Sequence, residues 1–150
     1  MYNLTVQSRK LTAKDYQSLA EFRYQIRRFL YFSKKAAAEA GLNPKQHQLL
    51  LALKGLPEDS EPTIGELAER LHTRPHSAVE LIDRLSDIGY IRRRRSKVDR
   101  RQVMIEITKK GETVLRGLSL IHRRELETAG DTLVGPLNAL MAGKRANPRN

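Results

Sequence analysis

The chain has 150 residues, 28 Lys and Arg against 17 Asp and Glu, a formal net charge of +11 and no cysteine. A chain of this length withdraws roughly 70% of its unfolded surface from water and so builds one domain with a real core, while its charge directs it toward polyanions, meaning nucleic acid or an acidic membrane face. The missing cysteines exclude a disulfide framework and a thiol switch within the chain; the opening "MYNLTVQSRK" lacks a signal-peptide core and the longest apolar run, Leu49 to Leu53, is far too short to cross a bilayer, so a cytoplasmic protein with no membrane association is expected.

The first element is a long helix over "LTAKDYQSLAEFRYQIRRFLYFSKKAAAEAG", with Thr12 as N-cap, Asp15 at the third helical position and Leu11 and Tyr16 placed as a hydrophobic staple. Tyr16, Leu19, Ala20, Ile26, Phe29 and Leu30 recur at three- and four-residue steps, and Phe22, Tyr24, Tyr31 and Phe32 widen the stripe beyond one contact face. Gly41 stops this helix. "NPKQ" then caps a second, with Asn43 as cap, Pro44 in the first turn and Gln46 closing the box, and "PKQHQLLLALKG" reads as almost entirely core. After the loop "LPEDSEP", Thr63 and Glu66 form a capping box for a short third helix, and the turn "HTR" leads to a fourth, "PHSAVELIDRLSDIG".

On that fourth helix Ala78, Leu81, Ile82, Leu85 and Ile88 share one face and Gly89 ends it. His76, Ser77, Glu80 and Arg84 share the opposite face. Two short helices joined by a tight turn, the second with a hydrogen-bonding stripe, make the helix-turn-helix pattern; any solvated amphipathic helix also has a polar side, so this helix alone does not decide.

The next stretch does decide. "RRRRSKVDRR", Arg92 to Arg101, holds seven basic side chains in ten residues between a strand, "YIRRRRS", and its partner, "RQVMIEIT", in which Val103, Ile105 and Ile107 alternate inward and Gln102, Met104 and Glu106 outward. The hairpin projects its tip from the body directly after the candidate recognition helix. Such dense like charge calls for a polyanion, and an arginine-tipped ribbon suits the narrow, electronegative minor groove. The lone acid near the tip, Asp99, is placed to fork a neighbouring guanidinium and hold the tip in shape.

The reading unit "LAERLHTRPHSAVELIDRLSDIGYI" and the run "DRRQVMIEITKKG" resemble the MarR family of bacterial winged helix regulators, over about Thr12 to Met141. The resemblance implies a mainly α fold with a small β-hairpin wing, a winged helix-turn-helix flanked by N- and C-terminal dimerisation helices. In that organisation residues 11–41 and 109–143 dimerise, 43–108 form the DNA-binding lobe and 144–150 a disordered tail. It also implies a homodimeric repressor on a pseudo-palindromic operator, nucleoid-associated, released by a small and often phenolic molecule. By position Arg101 would enter the minor groove, with Arg100 the partner of Asp99. The recognition helix opens with Pro75 and His76 where the family often has Ser, Thr and Arg, so no base preference is carried over.

The expected DNA-binding set is Arg74, His76, Ser77, Glu80 and Arg84, with Arg92, Arg93, Arg94, Arg95, Lys97, Asp99, Arg100 and Arg101. Thr108 can cap a last long segment, with Val114, Leu115, Leu118, Ile121 and Leu126 at helical spacing; Gly130 and Pro136 are expected to interrupt it before a short helix "PLNALMAG". The surplus apolar surface of the first and last helices suggests a second copy of the chain. Tyr24, Arg28, Tyr31 and Phe32, with His47, would suit a flat aromatic acid, or else serve as plain dimer core. His72 and His76 have metal-binding spacing but straddle a turn without cysteines or an acidic cluster, so no metal is expected; without a Gly-rich phosphate loop, a cysteine nucleophile or a Gly-x-Ser-x-Gly elbow, no cofactor and no enzyme activity are expected. The alternative function is a basic architectural or RNA-associated protein without sequence preference.

Overall fold

A computed structural model describes residues 10–145, in the order α1 (Ala13–Glu39), α2 (Pro44–Lys54), α3 (Ile64–Arg70), α4 (Pro75–Asp87), β1 (Ile91–Arg95), β2 (Val103–Ile107) and α5 (Lys109–Arg145). These form two compact units that divide inside α1 and α5: one holds the chain up to Phe32 and from Arg124 onward, the other Ser33–Arg123.

The helix starts follow from their caps. Thr12 and Asp15 exchange bonds, the Thr12 N–H donating to the Asp15 carboxylate (2.8 Å) and the Asp15 N–H to the Thr12 hydroxyl (3.2 Å). Asn43 and Gln46 do the same for α2, at 2.8 and 2.9 Å. For α3 only half of the expected box forms. Thr63 accepts the Glu66 N–H at 3.1 Å, but the Glu66 carboxylate turns one helical turn onward to Arg70, where the charge pair at 2.9 Å outweighs a neutral cap bond. Leu11 and Tyr16 both stay exposed, so the expected staple buries little.

The winged unit has its core where α2, α3, α4 and the hairpin meet. Leu49, Leu50, Leu67, Ile82, Leu85, Ile91 and Ile105 are fully buried there, joined by Ala36 and Ala37 from the end of α1 and Leu115 and Leu118 from the start of α5. Each such aliphatic side chain contributes about 1.5–3 kcal/mol by leaving water. Three expectations about facing need correction. Leu51 is 44% exposed, because α2 buries only the turn-spaced His47, Leu50 and neighbouring Leu49 and Leu53. Ile88, at the C-cap of α4, is past the last turn that packs. Met104 points into cover rather than solvent: Pro62 and Thr63 run along the free edge of β2, with the Ile105 N–H donating to the Pro62 carbonyl (2.8 Å) and Thr63 bridged to Met104, so β2 is a central segment and not an edge.

His47 is the most deeply buried polar residue among those described. Its ring is 2% exposed, lies 4.9 Å from that of His122, and its Nδ1 is buried without a hydrogen-bond partner. Nδ1 of His122 faces the Leu118 carbonyl at 2.7 Å and its Nε2 the Ser33 hydroxyl at 2.8 Å. Burial, and then the neighbouring His122, push the His47 imidazole below its ordinary value of 6.5. Above that value His47 is neutral in both native and unfolded chains. Below it the unfolded chain takes up a proton that the native ring resists, so stability is full above about pH 6.5 and falls as the pH drops. Urea unfolding at pH 7.5 and 5.5 is expected to show this loss in the wild type and a smaller one in His47→Leu; an unchanged loss in the variant assigns it to other groups.

The second unit consists of α1 up to Phe32 and α5 from Arg124. Tyr16, Leu19, Tyr24 and Leu30 of α1, and Leu126, Val134, Leu137 and Met141 of α5, are exposed in the single chain. The α5 helix runs through Gly130 and Pro136 to Arg145, where an interruption and a separate short helix were expected. A proline removes one N–H and bends a helix without having to end it, and the hydroxyls of Thr128 and Thr132 bond back to the carbonyls of Arg124 and Ala129 just before it (3.0 and 2.6 Å). Lys144 and Arg145, expected in a disordered tail, belong to this helix; the rest of that tail lies outside the described residues.

Candidate nucleic-acid interface

The two reading helices are set by the turn between them. His72 takes a left-handed conformation (φ 49°), and the Thr73 N–H reaches back to the Ala68 carbonyl at 3.0 Å, which ends α3 and leaves four residues, Leu71 to Arg74, before α4. Arg74 is the N-cap of α4 and supplies no side-chain cap bond; Pro75 follows in the first turn. Ala78, Ile82 and Leu85 are buried against the core, so the opposite face turns outward: His76, Glu80 and Arg84 are exposed and Ser77 half-buried. All four expected helix residues therefore share one accessible face, with Arg74 at its start.

The wing is fastened directly behind this helix. Gly89 (φ 80°) stops α4, and the Tyr90 N–H bonds the Leu85 carbonyl at 2.9 Å. At the hairpin exit the Thr108 N–H donates to the Tyr90 carbonyl (3.0 Å) and its hydroxyl to the Gly89 carbonyl (2.6 Å), while that hydroxyl also accepts the Gly111 N–H (3.1 Å) and so caps α5. The strands pair antiparallel from Ile91 opposite Ile107 to Arg95 opposite Val103.

The cations divide into two sets. Arg92 lies opposite Glu106 and binds its carboxylate at 2.8 Å, which holds the Glu106 carboxyl below the usual carboxylate range and raises the guanidinium. Arg93, on the other face of β1, binds Asp83 of α4. Both acids were missed by sequence reading, though folding the hairpin symmetrically about Asp99 would have placed Glu106 across from Arg92. Among the described residues no ion pair involves Arg94, Arg95, Lys97, Arg100 or Arg101, and all five are exposed. The density of like charge is thus relieved in part from within, at the root of the wing, and not at its tip.

The tip is held by backbone bonds. Asp99 keeps it in shape by accepting the Arg101 N–H (3.0 Å), where a fork onto a guanidinium was expected; a short side chain two residues from its donor reaches the backbone more readily than a neighbouring guanidinium. Ser96, 5% exposed and unread in the sequence, accepts the N–H groups of Val98 (3.2 Å) and Asp99 (3.3 Å), and its own N–H closes the loop on the Gln102 carbonyl (3.0 Å).

The residues expected to line an effector site fall in different units. Tyr24, Arg28, Tyr31 and Phe32 belong to the first, where the Arg28 guanidinium lies 5.9 Å from the Tyr24 ring centroid; His47 belongs to the second, buried beside His122. No group of three or more potential metal ligands occurs among the described residues.

A model of the MarR family matches residues 40–102. Over 55 residues the chain is 31% identical to an uncharacterized HTH-type transcriptional regulator, YfiV, of Bacillus subtilis (strain 168), covering 37% of this chain and 34% of that one. It is 32% identical over 74 residues to another such regulator of Mycobacterium leprae (strain TN), covering 49% of this chain and 52% of that one. The chain thus spans about a third to a half of the length of these relatives. A MarR family protein from Bacillus stearothermophilus has a similar structure, with TM-score 0.68 and 21% identity over 80% of this chain and 82% of that one. The regulator AbsC from Streptomyces coelicolor gives 0.65 and 18% over 91% and 99%. An S. aureus MepR mutant bound to an oligodeoxyribonucleotide gives 0.63 and 19% over 91% and 95%. At such identities the structures establish a common fold.

Proposed function

We propose that the chain is a MarR family regulator that binds double-stranded DNA sequence-specifically, as a homodimer that represses transcription from a pseudo-palindromic operator; the MarR family model matching residues 40–102 supports the family. The observation that carries this reading is that the polar face of α4 and the unpaired tip cations belong to one unit and are keyed together by Arg93 and Asp83. A helix entering the major groove and a ribbon reaching the adjacent minor groove need a fixed mutual orientation, and an ion pair with a hydrogen bond between their roots supplies one. The apolar residues left exposed on α1 and α5 are the surface that a second copy would cover.

Selection from a pool of randomised duplexes tests the proposal. A regulator enriches one inverted repeat and binds it about a thousandfold or more above random duplex. Uniform enrichment favours an architectural protein and overturns specific regulation. Release by a small aromatic acid is proposed on Tyr24, Arg28, Tyr31 and Phe32 of α1, where a guanidinium already lies near a ring.

Within the recognition face Glu80 is the sharpest case, because a carboxylate facing DNA is repelled by phosphates and is tolerable only where it accepts from a cytosine amino group or orients a cation. It is exposed, and no ion pair of it occurs among the described residues. Glu80→Ala is therefore expected to relax preference at one base pair by about 1–3 kcal/mol while tightening binding to random duplex. Tighter binding with an unchanged preference across site variants would remove Glu80 from the base readers.

A further inference from the structure

Val98 is 92% exposed at the wing tip, the most of any large apolar residue among those described. Single exposed apolar side chains ordinarily need no account, but this one is fixed and its surroundings are unusual. The backbone N–H groups of Val98 and Asp99 are both held by the buried Ser96 hydroxyl, and the Gln102 N–H closes the turn on the Asp99 carbonyl at 3.0 Å. A β-branched side chain has little freedom about its first torsion, so on that fixed backbone it is a stub of defined shape held away from the core. In the same tip segment Lys97, Arg100 and Arg101 are exposed and without ion pairs among the described residues.

An apolar stub flanked by cations matches a groove rimmed by phosphate and walled by deoxyribose C–H, whose floor carries recessed acceptors and adenine C–H but no projecting donor. The minor groove is such a surface along A·T pairs. A G·C pair adds the guanine amino group to the same floor, a donor for which valine has no acceptor and which it would bury unpaired. We propose that Val98 is a specificity-determining residue that contacts the minor-groove floor and selects A·T over G·C pairs beneath each wing. This rests on the reading of the hairpin as a DNA-binding wing, and it is separate from the role of Arg101: a guanidinium is drawn to a narrow groove by electrostatics, whereas valine tests for the amino group by shape.

Duplexes enriched by the full-length wild type from a randomised pool are resynthesised with 2,6-diaminopurine in place of adenine at the flanking positions, which adds the amino group to the minor groove and leaves the major-groove pattern of A·T intact. Wild type is expected to lose about tenfold in affinity, within the cost of one mismatched pair in a specific site. Val98→Ala is expected to lose less than about threefold on the same change, because the smaller side chain leaves room for the amino group; Val98→Ile keeps the wild-type discrimination. An equal loss in wild type and Val98→Ala assigns the preference to Arg101 or to groove width and overturns the proposal, as does enrichment without flanking A·T pairs. Failure of wild type to enrich any duplex overturns instead the DNA-binding reading on which it rests.

Discussion

Arg101→Ala is expected to weaken operator binding by about 1–3 kcal/mol, between fivefold and over a hundredfold, with thermal unfolding unchanged. The side chain is exposed and makes no ion pair among the described residues, so its removal leaves no cavity and strands no partner. Its backbone, by contrast, is fixed through the bond from its N–H to Asp99. A guanidinium on an anchored tip enters a groove with less ordering cost than one on a loose loop, which is why a single residue can carry an effect of this size. Arg92 is the internal control: its charge is engaged by Glu106, and Arg92→Ala is expected to do less. Titration of the selected duplex at fixed ionic strength reads both, and equal affinity of Arg101→Ala and wild type would sink the wing assignment.

The largest expected effect on folding comes from a glycine. A Cβ placed on Gly111 would lie 2.1 Å from the Tyr90 carbonyl oxygen and 3.0 Å from Ile107 Cγ1. That carbonyl cannot give way cheaply, because it already accepts the Thr108 N–H where the wing returns to the body. Gly111→Ala must then shift the start of α5 or the end of the wing, at about 3 kcal/mol or more. For a chain of this size the melting temperature should fall on the order of 10 °C, measured by circular dichroism. Gly117, with open space around its Cβ position, is the comparison: Gly117→Ala should be neutral or stabilising, since alanine is the better helix former.

Local features were the legible ones. The caps at Thr12, Asn43 and Thr108, the stop at Gly89 and the hairpin around Asp99 each depend on residues a few positions apart, and each is present. What sequence could not show depended on distant pairing. Asp83 carries no local mark of its role, which arises only where the fold brings Arg93 to it. Met104 followed the outward alternation until the loop at Pro62 and Thr63 covered its edge. Pro136 is locally a helix breaker, yet one lost donor does not end a helix of 37 residues. Gly111 carried no signal at all, because the atom it makes room for belongs to Tyr90, a neighbour only in the folded chain. In the candidate site the exposed face of α4 was readable from periodicity, whereas the division of the arginines into paired and unpaired was not.

That division has a consequence in the language of counterion release. A cation already balanced by a carboxylate of its own protein has less to gain from a phosphate and displaces fewer condensed ions from the duplex. With Arg92 and Arg93 matched to Glu106 and Asp83, five of the seven wing cations remain to do so. At about 0.9 ions released per neutralised phosphate, each wing can contribute no more than roughly four to five to the steepness with which affinity falls as salt is added. The two inner arginines therefore shape the ribbon, and the outer five set how strongly the ionic strength of the surroundings governs its hold on DNA.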